Sequence, residues 1–294
     1  MENALLDCLA SLPSKALKHV VRTVDRIASQ DVPVLITGEG GVGKELVANL
    51  IHRSSGRPNP LANLSCASLA PDHLEQECRA VNGGTLFLRD LCEMPTRTQV
   101  KLLSLIETPY QNVAIKSAAA PACRIITATS HEPTQAVKEH KLYQALYYRL
   151  SGICLHLPPL RERREDILPL ARAFLKRSVA QAKRPIDRFT PAAAKRLTSY
   201  DWPGNLNDLE REVLRAVLLS NGEAVDAVDL SLPLVTPSVR RPEDTSFTSL
   251  KDIERQAILQ ALKDAGGNKA EAAKRLGIGR QTLYNKIKVY HIVV

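Results

Sequence analysis

A chain of 294 residues is long enough for one large domain and one or two small ones, so a sizeable buried core is expected. With 44% hydrophobic and 24% charged residues the composition is that of an ordinary globular protein, and no apolar run reaches the roughly 18–20 residues needed to cross a bilayer. The net charge of +9 points toward a polyanionic partner, and more than half of it sits after residue 267, where Lys269, Lys274, Arg275, Arg280, Lys286 and Lys288 outweigh the single acid Glu271.

The N-terminus has no cationic start followed by an apolar block, so no secretory signal is expected and the cytoplasm is the default location. The six cysteines (Cys8, Cys66, Cys78, Cys92, Cys123 and Cys154) form no CxxC and no zinc-like spacing with histidine. That scatter predicts small thiols in a reducing compartment, with no structural metal and no disulfide framework. The seven histidines show no HxxxH or HExxH spacing and read as surface or packing residues.

Residues 1–30 read as helical, with Leu9, Leu12, Leu17, Val20, Val21, Val24 and Ile27 near helical spacing. Residues 32–37, VPVLIT, suit a buried parallel strand, and residues 45–51 return to helical character after a glycine cluster. Further buried strands are predicted at 85–88, 124–129 and 153–157, with a helix over 98–107. Strands alternating with helices predict an α/β fold with a doubly wound parallel sheet. From 161 to about 230 the strand signals vanish, and helices are predicted over 167–175, 191–197 and 206–219, which reads as a helical lid. Residues 231–248 hold three prolines without periodicity and read as a linker. The expected domains are therefore 1–158 (α/β), 159–230 (lid), 231–248 (linker) and 249–294 (small, all-α and basic).

Gly38-Glu39-Gly40-Gly41-Val42-Gly43-Lys44-Glu45 matches G-x-x-x-x-G-K, with Glu45 where a hydroxyl residue usually stands. Placed between a strand and a helix, glycines let backbone N–H groups curl around a phosphate, and the helix N-terminus and Lys44 add positive charge. ATP is the expected ligand. Glu45 cannot supply the hydroxyl that normally helps to hold Mg²⁺, so the metal would need another carboxylate.

Several stretches together resemble the AAA+ domain of bacterial enhancer-binding proteins, the activators of sigma-54 RNA polymerase. They are GEGGVGKE (38–45), GGTLFLRDLCEMP (83–95) with QVKLL (99–103), RIITATS (124–130), YYRL (147–150), LPPLRERREDI (157–167) and WPGNL (202–206). NKAEAAKRLGIGRQTLYNKIKVY (268–290) resembles the Fis-type helix-turn-helix that ends such activators.

The resemblance also exposes departures. Where the family's second conserved strand ends in Asp-Glu, to order Mg²⁺ and polarise the attacking water, this chain has Arg89 and Asp90. A cation there repels Mg²⁺, although Arg89 can itself neutralise phosphate charge. Asp90 keeps a carboxylate on a shorter arm, and a catalytic group displaced by about 1 Å can cost roughly 100-fold. The resemblance implies that Ser130 replaces a sensor Asn, Tyr143 the first of two arginine fingers, and Asn207 a sensor arginine. Arg149 is the finger that remains, leaving Asp90 and Arg149 as the catalytic candidates. Between Glu77 and Asn82 the family's long insertion, with its sigma-54-gripping GAFTGA loop, is missing. These changes predict nucleotide binding with weak or absent ATPase activity.

In the tail, Leu250, Ile253, Ala257, Ile258, Ala261 and Leu262 form the stripe of a first helix, ended by Gly266-Gly267. Asn268 should cap a second helix over 269–275, and residues 280–289 should form the recognition helix. Lys269, Arg280, Gln281, Thr282, Tyr284, Asn285, Lys286 and Lys288 are the candidate contacts to double-stranded DNA, with Tyr284 equally suited to packing. The family implies a homodimer or AAA+ ring and RNA polymerase holoenzyme as partners. The reading is a DNA-binding regulator; the alternatives are an ATP-hydrolysing activator of sigma-54 promoters and a modulating subunit in a mixed ring. With about 37 residues ahead of the phosphate loop, no receiver domain is expected there.

Overall fold

The computed structural model describes residues 2–111, 123–220, 222–232, 258, 261–262, 265, 268–276 and 278–290. The chain divides into two compact units, Met1–Val235 and Thr236–Val294. Most of the expected linker (233–248), and Leu250, Ile253, Ala257, Gly266, Gly267 and Gly277 of the tail, lie outside the described residues.

The first unit opens with two helices, α1 (Glu2–Ala10) and α2 (Lys15–Ile27), separated at Pro13, which has no N–H to continue a helix. Ser14 caps α2, its Oγ accepting from the Leu17 amide at 3.3 Å. There follow β1 (Val34–Thr37), α3 (Lys44–Ser54), β2 (Leu61–Ser65), α4 (Pro71–Ala80), β3 (Thr85–Arg89), α5 (Thr96–Gln111), β4 (Arg124–Thr129), α6 (Pro133–Lys138), α7 (Gln144–Leu150) and β5 (Ile153–His156). The strands form one five-stranded sheet in the order β2-β3-β4-β1-β5, and every pair is parallel.

Alternation along the strands divides the core into two layers. Val34 and Ile36 of β1, with Phe87, Ile126 and Ala128, face a cluster that includes Val20, Val24, Val47 and Ile51 of α2 and α3. Leu35, Leu86, Leu88 and Ile125 face the other cluster, with Leu74 and Cys78 of α4, Leu102 of α5, and Leu146 and Leu150 of α7. Both faces of the sheet are thereby covered, which is the doubly wound arrangement. Arg124 donates to the carbonyls of Ile27 and Ala28, tying the end of α2 to the sheet. Burial holds its guanidinium down to about 10.

After β5 come α8 (Ile167–Ala182), β6 (Arg188–Phe189), α9 (Pro191–Ser199), α10 (Asn205–Leu219) and β7 (Ala224–Val225). Strand structure therefore does not vanish in the lid, because β6 and β7 pair as a small parallel ribbon. Two-residue strands carry no periodicity to read. The edge strand β2 was also missed: Leu61-Ala62-Asn63-Leu64-Ser65 lacks a β-branched run and is only half covered.

In the second unit, α11 (Lys269–Arg275) and α12 (Arg280–Val289) pack through Ala272, Ala273 and Leu283 onto Ile258, Ala261 and Leu262. The Asn268 side chain accepts from the amides of Ala270 and Glu271, satisfying two of the donors left at the start of α11.

Trp202 anchors the lid at 1% exposure, its Nε1 donating to the Leu197 carbonyl at 2.9 Å and its ring edge-on to Tyr200. Trp202→Ala is expected to lower unfolding free energy by about 3–5 kcal/mol, from lost burial and a residual cavity. Trp202→Phe, which loses the indole hydrogen bond but keeps most of the packing, should cost about 1–2 kcal/mol. Urea denaturation followed by circular dichroism measures both, since this is the chain's only tryptophan and its fluorescence disappears with it.

Candidate phosphate-binding cleft and helix-turn-helix

The glycine-rich loop joins the end of β1 to the first turn of α3, with Gly41 at φ 74° and Gly43 at φ 103°. A Cβ on Gly41 would stand 2.4 Å from the Gly204 carbonyl oxygen, so only glycine lets the lid approach the loop here.

Every carbonyl of residues 38–43 accepts a hydrogen bond. Lys44 Nζ donates to Gly38 at 2.7 Å and to Glu39 at 2.8 Å. Asn205 Nδ2 donates to Gly40 at 2.9 Å, the Leu206 amide to Gly41 at 2.9 Å, and Arg163 Nη2 to Val42 at 2.6 Å. The Val47 amide closes the series on Gly43 at 3.1 Å. Among the described residues, none of the N–H groups of residues 39–43 donates a hydrogen bond within the protein. A loop with its acceptors satisfied and its donors unused is built to meet an anion.

Three of these donors come from the lid or its entrance. Arg161 makes two bonds to the Glu39 carboxylate, at 2.9 and 2.6 Å. These bonds hold the Glu39 carboxyl below its ordinary pKa, against burial and with help from Asn205. Asn205, fully buried and in the left-handed region at φ 54°, also accepts from the Leu160 amide at 2.7 Å. Arg163 is buried beside Asp166, and burial lowers its pKa against the pull of that carboxylate.

The loop opens on a cleft of about 360 Å³. Gly40, Gly41, Gly43, Lys44, Glu45, Arg89 and Asp90 line it, so the structure brings together most of the residues expected from sequence. Gly38, Glu39 and Val42 belong to the loop but are not among the residues lining the cleft. The third donor of Lys44 goes to Ser130 Oγ at 2.8 Å, and burial pushes the ammonium pKa down while Asp90 and Glu39 oppose it. Asp90 sits at φ 59°. Glu45 turns to β2, its carboxylate accepting from Asn63 Nδ2 at 2.6 Å.

Arg149, on α7, is not among the residues lining the cleft. It is half exposed and 3.3 Å from the Glu107 carboxylate. Sequence reasoning missed Leu5, Phe174 and Arg177, which line the far end of the cleft. Arg177 lies over the Phe174 ring at 5.4 Å and pairs with Glu210. Such residues carry no motif, because α1, α8 and α10 bring them together only on folding.

On α12, Leu283 is fully buried while Arg280, Gln281, Thr282, Tyr284 and Asn285 are exposed and Lys286 is half-buried. Lys269 Nζ sits 5.5 Å above the Tyr284 ring, so this tyrosine packs against a cation on α11 while remaining exposed. The side chain of Lys288 lies outside the described residues.

Residues 11–160 match the Sigma-54 interaction domain, 161–246 the AAA+ ATPase lid domain and 249–290 the Fis family of bacterial regulatory proteins. The transcriptional regulatory protein ZraR of Klebsiella oxytoca is 40% identical over 297 residues, covering 93% of this chain and 67% of its own. NtrX from Brucella abortus, solved in complex with ADP, is similar with a TM-score of 0.64 and 28% identity, over 96% of this chain and 69% of its own. The Thermotoga maritima branch migration motor RuvB, at 15% identity and a TM-score of 0.55 over 93% of this chain and 85% of its own, shares the fold alone. The chain therefore belongs to the sigma-54 interaction domain family of regulators, with an AAA+ fold, a helical lid and a C-terminal Fis-type helix-turn-helix.

Proposed function

We propose that this chain is a DNA-binding transcription regulator whose AAA+ unit binds ATP with little or no hydrolysis. In this reading residues 1–158 carry the nucleotide and 159–230 close over it. Residues 231–248 form a linker, and 249–294 dock on duplex DNA as a dimer. The observation that supports nucleotide binding is the phosphate loop itself, with every carbonyl of residues 38–43 satisfied and the amides of 39–43 unused. NtrX, of the same fold, is solved with ADP and with ATP.

Weak hydrolysis follows from what surrounds the loop. The strand that reaches the cleft ends in Arg89 and Asp90, and Asn207 stands on the lid side. Asp90 remains the candidate for orienting water. Arg149, exposed and outside the lining of its own cleft, is in this reading the residue that would serve a neighbour's site. That placement also favours a second reading, a modulating subunit in a ring with a hydrolysing homologue. The connection from α4 to β3 is only residues 81–84, which supports reduced engagement of sigma-54.

Calorimetry should detect ATP binding by the purified chain, and Lys44→Ala should weaken it by about tenfold or more. Turnover should fall about 10³-fold or more below that of a relative with intact arginine fingers. Brisk steady-state turnover by this chain alone would overturn the weak-hydrolysis reading.

For the tail, Arg280→Ala should reduce specific binding by about 1–3 kcal/mol and relax sequence preference. Lys286→Ala should weaken specific and random DNA alike and lower the slope of log K against log salt by about 0.9. Fluorescence anisotropy across a salt series, using the chain's own upstream regions, separates the two effects. Absence of salt-dependent binding would remove the DNA assignment.

A further inference from the structure

In this fold Mg²⁺ ordinarily accompanies the triphosphate, held by a hydroxyl just after the loop lysine and by a carboxylate at the end of a neighbouring strand. The donor set of this chain does not fit that arrangement. At the hydroxyl position Glu45 presents a carboxylate that already accepts from Asn63. At the strand end the residue lining the cleft is Arg89, a cation in place of a carboxylate. The other carboxylates near the loop are engaged as well: Glu39 by Arg161, and Glu210 by Arg177. That leaves Asp90 as the carboxylate donor, flanked by Arg89 in sequence and with Lys44 in the same cleft.

Mg²⁺ keeps most of its waters and is ordinarily held by one or two protein oxygens together with the phosphates, so what opposes it here is charge: two cations stand beside the remaining carboxylate. The same two cations suit a bare polyphosphate. A guanidinium offers paired donors that match phosphate oxygens, and an ammonium offers a compact charge. The unused amides of residues 39–43 add further donors.

We propose that the cleft binds nucleoside triphosphate free of metal, with Arg89 and Lys44 supplying the positive charge that Mg²⁺ would otherwise bring. This rests on the nucleotide-binding reading above, and it makes Arg89 the residue that selects between the two forms of the ligand.

The test is titration of the full chain with ATP in EDTA and again with excess Mg²⁺, by calorimetry and by equilibrium dialysis. The wild-type chain should bind ATP in EDTA at least as tightly as in Mg²⁺. Arg89→Asp should weaken metal-free binding by about tenfold or more and make binding depend on Mg²⁺. Arg89→Gln should show the same loss without gaining the dependence. Wild-type binding that is about tenfold tighter with Mg²⁺ overturns this inference and leaves nucleotide binding standing. Binding in neither buffer, by either method, removes the nucleotide reading and this inference with it.

Discussion

The first unit depends on a set of hydrogen bonds that pin the carbonyl side of the phosphate loop. Half of the donors belong to segments more than 100 residues away: Arg163, the side chain of Asn205 and the amide of Leu206. Their effect is directional. A trans peptide group whose oxygen is fixed by a donor has its N–H, that of the next residue, turned the other way, so fixing the carbonyls of residues 38–42 turns the amides of residues 39–43 away from those donors. The same bonds make loop and lid entrance mechanically one piece, because Arg161, Arg163, Asn205 and Leu206 cannot move without releasing the loop.

Such a clamp is costly, which marks it as more than packing. Arg163 is 1% exposed, and its Nε and Nη1 have no hydrogen-bond partner, so a guanidinium is buried for one bond to Val42. Uncompensated burial of a cation costs several kcal/mol, and the nearby Asp166 offsets part of it. Asp166 is itself held by Ser14, which donates from its amide at 3.0 Å and from Oγ at 2.6 Å. A polar chain thus runs from the start of α2 through Ser14, Asp166 and Arg163 to the phosphate loop. Asn205 adds a backbone in the left-handed region, a conformation that costs a non-glycine residue about 1–2 kcal/mol. Polar burial and strain gathered at one loop mark the place where the fold holds geometry in preference to maximal stability.

How much of this was legible in the sequence follows from the range of the forces involved. The strands β1, β3 and β4 were readable because burial on both faces demands continuous apolar runs, and the alternation at Val34, Leu35 and Ile36 feeds both core layers. β5, an edge strand with only Leu155 buried, was readable from its short apolar run stopped by Pro158-Pro159. The phosphate loop was readable because its requirements are local: small residues, a strand before, a helix after. β2 was not, since an edge strand with Asn63 and Ser65 exposes too little apolar surface to show a pattern. The clamp was half legible. Arg163 and Asn205 fall inside stretches that mark the family, but their bonds to Val42 and Gly40 span more than 100 residues, and no periodicity encodes such a partner. Leu5, Phe174 and Arg177 were invisible for the same reason.

One further constraint follows from counting donors on Lys44. An ammonium has three hydrogens, and here all three are committed, to the carbonyls of Gly38 and Glu39 and to Ser130 Oγ. A phosphate can therefore receive a bond from Lys44 only by displacing one of these acceptors. The two carbonyls belong to the clamped loop, and losing either would leave a backbone acceptor unsatisfied. Ser130 stands at the exposed end of β4 and can turn its hydroxyl to water or to the phosphate at little cost. The exchange at Ser130 is thus the cheapest route by which the lysine engages a ligand. It carries the event to β4, the strand that lies between β3, with Arg89 and Asp90 at its end, and β1, which feeds the loop.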